Sequence, residues 1–322
     1  MRMSTGAESV EYYFAPMEGV TGAIFRRVHH RYFPETDCYY MPFLSPTQDH
    51  VFTPRELRNV LPEYNQGFRA VPQLLTKNAQ DFCWAAQALF DLGYEEVNLN
   101  LGCPSGTVTA KGKGAGMLAD REGLDRFLDE VFSHLPGKVS IKTRLGMESP
   151  EEFPRLLEIF SQYPVPLLII HPRVRQDFYR EPVRMDSFAW AVDHYSGPLC
   201  YNGGLRTASD CTQLCRQFPQ VERLMLGQGL LANPALIRQA KGGPGASLEE
   251  LQAYHQELYQ AYLEAFGSQK NTVYHMKELW HYLSQLFVGS EKAVKQIRKA
   301  SDCAGYESGV AAMFRLPRKE EI

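Results

Sequence analysis

Glu96-Val97-Asn98-Leu99-Asn100-Leu101-Gly102-Cys103-Pro104-Ser105, running on through Thr107, Val108 and Lys111 to Gly112-Lys113-Gly114-Ala115-Gly116, is the stretch the rest of the chain serves. Glu96 to Leu101 alternates polar and aliphatic residues with the period of a strand, and Gly102 and Pro104 stop it abruptly. Cys103 is thereby presented at a strand's carboxyl end, where open α/β sheets and α/β barrels place their chemistry. A cysteine there can be a nucleophile, a metal ligand, a proton donor or a small apolar filler. Taken alone, filler is the better reading, because free cysteine is among the most buried residue types. Its company shifts the balance: two asparagine amides lie just upstream, and Gly106, Gly112, Gly114 and Gly116 lie in the loop that follows.

Working outward, similar short apolar runs recur at Tyr12 to Met17, Cys38 to Phe43, Ala70 to Leu75, Val139 to Leu145, Leu167 to Pro172, Pro198 to Gly203 and Arg223 to Gly227, giving eight candidate strands. Helices with legible ends separate most of them. Asn78 can cap a helix over Ala79 to Leu92 that stops at Gly93, and Ser149-Pro150-Glu151-Glu152 is a capping box with proline at the first helical position. Thr207-Ala208-Ser209-Asp210 resembles such a box, and Asn233-Pro234 opens a further helix. Eight β-then-α units over roughly 240 residues match a (β/α)8 TIM barrel. A doubly wound sheet competes, but the glycine-bearing turns follow strands four, seven and eight, and no GxGxxG follows the first.

The pattern breaks at Lys241-Gly242-Gly243-Pro244-Gly245, so a catalytic barrel is expected over residues 1–245 and a small helical domain over 246–322. Ser247-Leu248-Glu249-Glu250 is a capping box for a helix ending near Gly267. Further helical patterns run from about Thr272 to Phe287 and from Ser290 to Ala300. Residues 270–322 hold nine Lys/Arg against six Asp/Glu within a chain of net charge −3, so the tail is the basic end. Lys292, Lys295 and Lys299 share one side of the last of these helices, with Arg298 beside them. Such a run is ordinarily a solvated face, yet on a module the barrel does not need, a polyanion contact is worth weighing.

At 322 residues, 44% of them apolar and 22% charged, the chain is globular in composition. No apolar run approaches the roughly 18 residues of a membrane span, and Met1 to Val10 lacks the apolar centre of a signal peptide. A cytoplasmic protein without membrane contact is expected. The seven cysteines are scattered without CxxC pairs, which argues against a disulfide framework and against a zinc site. Cys211 and Cys215 read as helix-face packing, and no metal is expected.

Strand five ends Ile141-Lys142-Thr143-Arg144, and alternate strand residues share a face. A lysine aimed into a parallel barrel is costly unless an anion or an electron-rich ring meets it. Strand six ends at His171-Pro172-Arg173, strand seven at Tyr201-Asn202-Gly203-Gly204 and strand eight at Leu226-Gly227-Gln228-Gly229. The loops after strands seven and eight are where barrels commonly hold a phosphate on backbone amides. A phosphorylated cofactor over the mouth, with Lys142 and His171 under its rings, fits flavin mononucleotide (FMN) best. Gln73 can reach the ring edge, and Pro16 and Met17 supply further contact.

With these residues together, the chain resembles the tRNA-dihydrouridine synthases. The similarity runs nearly end to end: Ala15-Pro16-Met17, Gln73-Leu74, Asn100 with Gly102-Cys103-Pro104-Ser105, Gly112 and Gly114-Ala115, Lys142 with Arg144, His171 with Arg173, Asn202-Gly203, Gly227 and the basic helical tail. The resemblance implies an FMN enzyme that takes electrons from NADPH and reduces the C5–C6 double bond of particular uridines in tRNA. It makes Cys103 the general acid that protonates C5. Asn100, Arg144 and Tyr179 would hold the uracil, while Gln73, Lys142, His171, Asn202, Gly203 and Gly227 would hold the flavin. The neighbouring Pro16, Met17, Gly204 and Gln228 join that cofactor set, and Lys292, Lys295, Arg298 and Lys299 would bind tRNA. The protein is read as a monomer.

Three positions depart from the family's habit: Pro172 where glycine is common, Asp177 where glutamine is common, and Gln228 where arginine is usual. Two rival readings are a flavin barrel acting on a small molecule, of the dihydroorotate dehydrogenase or ene-reductase kind, and a non-catalytic RNA-binding protein that has kept the barrel. The first gives no purpose to the chain beyond Gly245. The second leaves Lys142 facing inward without an anion.

Overall fold

The computed structural model describes residues 10–319, so the reading of Met1 to Val10 falls outside the described residues at all but Val10. The strands are β1 (Glu11–Phe14), β2 (Cys38–Tyr40), β3 (Ala70–Val71), β4 (Gln73–Leu74), β5 (Glu96–Leu101), β6 (Lys138–Arg144), β7 (Leu168–His171), β8 (Leu199–Asn202) and β9 (Arg223–Leu226). All pairings are parallel, in the order β3-β2-β1-β9-β8-β7-β6-β5-β4. The terminal strands of that order are the two halves of one expected run, interrupted at Pro72, whose missing N–H cannot enter a ladder. Since β3 pairs with β2 while Leu44, just beyond β2, bridges Leu74 in β4, the ring comes round on itself as a barrel.

The two-residue period of each strand sorts its side chains. Tyr13, Cys38, Tyr40, Val71, Ile169, Cys200 and Met225 form a buried cluster inside the barrel. Toward the amino ends the interior is closed by ion pairs, Arg223 to Glu11 at 3.1 Å and Arg69 to Glu96 at 2.9 Å. Tyr13 and Tyr40 donate to those same carboxylates, at 2.6 and 3.1 Å. Toward the carboxyl ends the inward positions become Gln73, Asn100, Lys142, His171 and Asn202, and these polar side chains floor the mouth.

The cap readings hold at Asn78, Ser149 and Thr207, whose side chains accept N–H bonds at the starts of their helical segments. Cys211 is buried against the core and Cys215 is partly so. Two local readings need correction. Ser247 caps the helix Leu248–Phe266, but the box is half-formed, because Arg238 takes the Glu250 carboxylate through two bonds of 2.8 and 2.7 Å. Asn233-Pro234 does not directly follow the strand: the helix Gln228–Ala232 comes first, and Asn233 then turns the chain into Leu236–Ala240.

Beyond Lys241 the described chain is helical: Leu248–Phe266, Gln269–Leu283, Glu291–Lys299 and Cys303–Phe314. The first of these packs along the barrel helix Ala23–Tyr32. Tyr254 meets Phe33 and Tyr32 edge-on at 5.4 and 5.8 Å, and Tyr32 donates to Glu257 at 3.0 Å. The helices enclose Trp280, whose indole N–H donates to Tyr306 at 2.9 Å. No helix among the described residues is long and apolar enough to cross a membrane.

Candidate active site at the barrel mouth

The turn after β5 is pinned by one side chain. The Asn100 amide oxygen accepts the backbone N–H groups of Gly102 and Cys103 at 3.0 and 2.9 Å. The amide is itself fixed from below: its N–H donates to Gln73 at 2.7 Å, Gln73 donates to Asn98 at 2.7 Å, and Asn98 donates to Ser140 at 2.8 Å. Ala115 then returns the loop by donating to the Cys103 carbonyl at 3.1 Å. Gly114, at φ +58°, sits so close that a Cβ there would lie 3.0 Å from the Cys103 Cβ. Cys103 is half-buried, and burial pushes its thiol pKa up, against the opposing pull of the Ser105 backbone and of the Arg144 and Lys142 charges.

On β6, Lys142 and Arg144 point the same way, as their spacing requires. Among the described residues Lys142 has neither a hydrogen-bond nor an ion-pair partner. Burial, and then the charge of Arg144, pulls its pKa down to about 8. Arg144 is fully buried. It donates to the carbonyls of Gly102 at 2.9 Å, Val174 at 3.0 Å and Phe178 at 2.8 Å, which ties the Cys103 turn to the loop after β7. Its Nη2 is buried and bonds none of these carbonyls, and the Tyr179 side chain is the remaining polar neighbour of the guanidinium. Tyr179, 54% exposed, lays its ring over the guanidinium at 5.1 Å and beside His171 at 5.8 Å.

Burial and the nearby charges of Arg144, Lys142 and Arg173 hold His171 well below the ordinary imidazole range, so the ring is neutral. Arg173 can only donate, and its Nη1 lies 2.7 Å from His171 Nε2, so Nε2 is the acceptor and the proton resides on Nδ1. Across the mouth, Asn202 donates to the Met225 carbonyl at 2.8 Å, locking the end of β8 to β9. Gly203, at φ +146°, approaches His171 so closely that a Cβ would lie 2.9 Å from Cδ2. A Cβ on Gly227 would lie 3.3 Å from Met17 Sδ.

One cleft gathers Pro16, Met17, Lys142, His171, Tyr179, Asn202, Gly203, Gly204, Gly227 and Gln228. Gln73 is brought near but not onto its wall; it is buried beneath Asn100. Lys292, Lys295, Arg298 and Lys299 are exposed on Glu291–Lys299, away from this cleft. Arg173 and Arg206 also line the cleft and were not among the expected site residues. Arg173 stands two residues after His171, and Arg206 follows the Gly203-Gly204 pair, which is the only sequence signal for either.

The dihydrouridine synthase family model matches residues 13–312. This chain belongs to the dihydrouridine synthase family. Its sequence is 26% identical to the tRNA-dihydrouridine(16) synthase of Pseudomonas putida, over 90% of this chain and 93% of that protein. It is 28% identical to the enzyme of the same name from Escherichia coli K12, over 84% and 87%, and 25% identical to the tRNA-dihydrouridine synthase B of Pasteurella multocida, over 74% and 71%. Among solved structures, morphinone reductase superposes with a TM-score of 0.51 at 13% identity, over 74% of this chain and 87% of that one. An old yellow enzyme homologue from Zymomonas mobilis gives 0.54 at 10% identity, over 75% and 91%. Those two likenesses establish the fold.

In this dihydrouridine synthase the three departures have structural settings. The Pro172 carbonyl accepts the Arg184 N–H at 2.7 Å, closing the loop after β7. Asp177 is buried, accepts from the Val174 N–H at 2.9 Å and pairs with Arg184 at 2.8 Å, so it braces the segment that carries Tyr179. Gln228 starts the short helix at the cleft wall.

Proposed function

We propose that this dihydrouridine synthase reduces the C5–C6 double bond of specific uridines in tRNA, with FMN as its flavin, NADPH as electron donor and Cys103 as the proton donor to C5. The observation that carries the reading is the Cys103 turn: a protonated thiol held by Asn100 and within reach of the charge of Lys142, which lines the neighbouring cleft together with His171.

The residues fit a flavin on their own chemistry. Lys142 presents an ammonium that lacks an anion, and at Gly203 and Gly227 the absence of a Cβ lets bare backbone pack against His171 and Met17 along the cleft wall. Pro16, Met17, Lys142, His171, Asn202, Gly203, Gly204, Gly227 and Gln228 would hold the group, with Gln73 supporting the floor through Asn100. Bound there, a flavin supplies the hydride that saturates C6 of the base.

The chain's own residues do the rest. Arg144 spends its other donors on loop carbonyls, and Nη2 remains to meet a uracil carbonyl, with the Tyr179 ring as a flank and the Asn100 amide below. Since burial raises the Cys103 pKa, the thiol is protonated at neutral pH and can deliver its proton to C5. A uridine must leave its stack to reach this point, at a cost of a few kcal/mol that phosphate contacts offset. Lys292, Lys295, Arg298 and Lys299 supply such contacts from the helical region. On this reading residues 1–245 are the catalytic unit and 246–322 the tRNA-binding one, in a cytoplasmic monomer.

The small-molecule alternative draws no support from the family match, which extends to residue 312 and so takes in the helices that alternative leaves idle. The direct test is to incubate the purified yellow protein with NADPH and tRNA lacking dihydrouridine, and to map the product by mass spectrometry. A 2-Da gain at defined uridines is expected. A colourless protein, or a flavoprotein that leaves tRNA unchanged, contradicts the proposal.

A further inference from the structure

A second cleft, of about 470 Å³, opens on the other side of the β1 loop and lies between the barrel and the helical region. The loop divides the two spaces: Pro16 and Met17 face the cleft described above, while Glu18, Gly19 and Val20 line this one. Its far wall is Tyr262, Phe266 and His275 of the helical region. The His275 ring stacks within 9° of Tyr262 at 5.3 Å and within 20° of Phe266 at 4.8 Å. Arg55 and Arg58 stand on its barrel side, both exposed.

The Glu18 carboxylate enters this space half-exposed, with no hydrogen bond among the described residues and a single long ion-pair contact of 3.8 Å to the exposed Arg55. It is close enough to the reactive turn for its charge to act on the Cys103 thiol. Aromatic walls, flexible cations at the rim and an acceptor inside are the parts from which single-stranded nucleobase pockets are built. The volume falls in the range of small-ligand sites.

We propose that this cleft takes the nucleobase next to the target uridine, and that Glu18 selects guanine there. The inference rests on the tRNA substrate proposed above. Once the target base is drawn to Cys103, the adjoining nucleotide is carried to within one backbone step of it, and Glu18, whose charge reaches the Cys103 thiol, lines this cleft. Two carboxylate oxygens match two parallel donors, and guanine alone among the four bases offers them, as N1–H and the 2-amino group. Adenine and cytosine offer an amino group beside a lone-pair acceptor that the carboxylate repels. Arg55 is free to leave Glu18 for the nucleotide's phosphate.

The test uses the holoenzyme and tRNA transcripts carrying G, A, C or U at each position flanking the target uridine. Wild type is expected to prefer guanine at one flank by about tenfold in kcat/KM, expressed mainly in KM, the discrimination of one bidentate base contact. Glu18→Gln replaces one acceptor with a donor, which ends the match to two parallel donors and suits the amino-and-acceptor edges of adenine and cytosine alike, so the guanine preference should be lost with flavin content unchanged. A mere scaffolding role for Glu18 would lower all four rates together. Equal rates of the wild type on all four bases, or retention of the guanine preference by Glu18→Gln, overturns the assignment while dihydrouridine formation stands. Absence of dihydrouridine in every transcript overturns the functional reading and this inference with it.

Discussion

The side-chain oxygen of Asn100 accepts the backbone N–H of Cys103 at 2.9 Å, so the position of the thiol is set by a residue that is itself held from inside the barrel. Asn100→Ala removes the acceptor for two N–H groups and leaves Gln73 short of a donor. A loss of about 1–3 kcal/mol of stability is expected from the broken buried network. Dihydrouridine formation should fall at least about tenfold as the turn loosens. Denaturant melts and single-turnover rates on the purified variant check both.

Lys142 gives a pH prediction whose sign is fixed by its depressed pKa. With no anion beside it the ammonium titrates at about 8, below the ordinary lysine value. An anionic or electron-rich flavin edge beside it raises that value, so binding takes up a proton and affinity falls as pH climbs from about 8 toward 10. For the protein without flavin the same depression makes this group's contribution to stability rise over that window, because the unfolded chain there binds more protons. Flavin Kd values measured from pH 7 to 10 should show the weakening, and Lys142→Met should flatten the dependence and weaken binding at pH 7.

Gly203 and Gly204 separate steric contact from backbone strain. Both have positive φ, but only at Gly203 would a Cβ press on His171, at 2.9 Å, whereas at Gly204 the nearest atom would be 3.8 Å away. Gly203→Ala is expected to lose most of its flavin, and Gly204→Ala to retain it while losing about 1 kcal/mol of stability. The ratio of flavin to protein absorbance, with a thermal melt, distinguishes the two.

Charge reversal of Lys292, Lys295 and Lys299 should weaken tRNA binding and reduce the slope of log K against log salt by about two to three units, with flavin content unchanged. These side chains are exposed and make no ion pairs among the described residues, so the fold should tolerate the change. An unaltered slope would make that helix a solvated face.

Much of this was legible in the sequence because strand ends are punctuated. Gly102, Pro104, Gly203 and Gly227 mark where each strand stops, and the two-residue period then sends Lys142, Arg144 and His171 to one rim. What was hidden depends on loops folding against one another. That Arg144 would give its donors to the Gly102, Val174 and Phe178 carbonyls cannot be read from spacing, since those loops meet only in the fold. Glu250 was lost to Arg238 for the same reason. The helix Cys303–Phe314 escaped notice because Ala304, Gly305, Gly309, Ala311 and Ala312 spread small residues around it and leave no apolar stripe.

The most direct measurement is single-turnover reduction of tRNA by Cys103→Ala carrying reduced flavin. The variant should hold flavin and oxidise NADPH as the wild type does, yet form dihydrouridine about 10²–10⁴-fold more slowly, the contribution of a positioned general acid. Dihydrouridine formation at the wild-type rate would contradict the assignment of Cys103 as the proton donor.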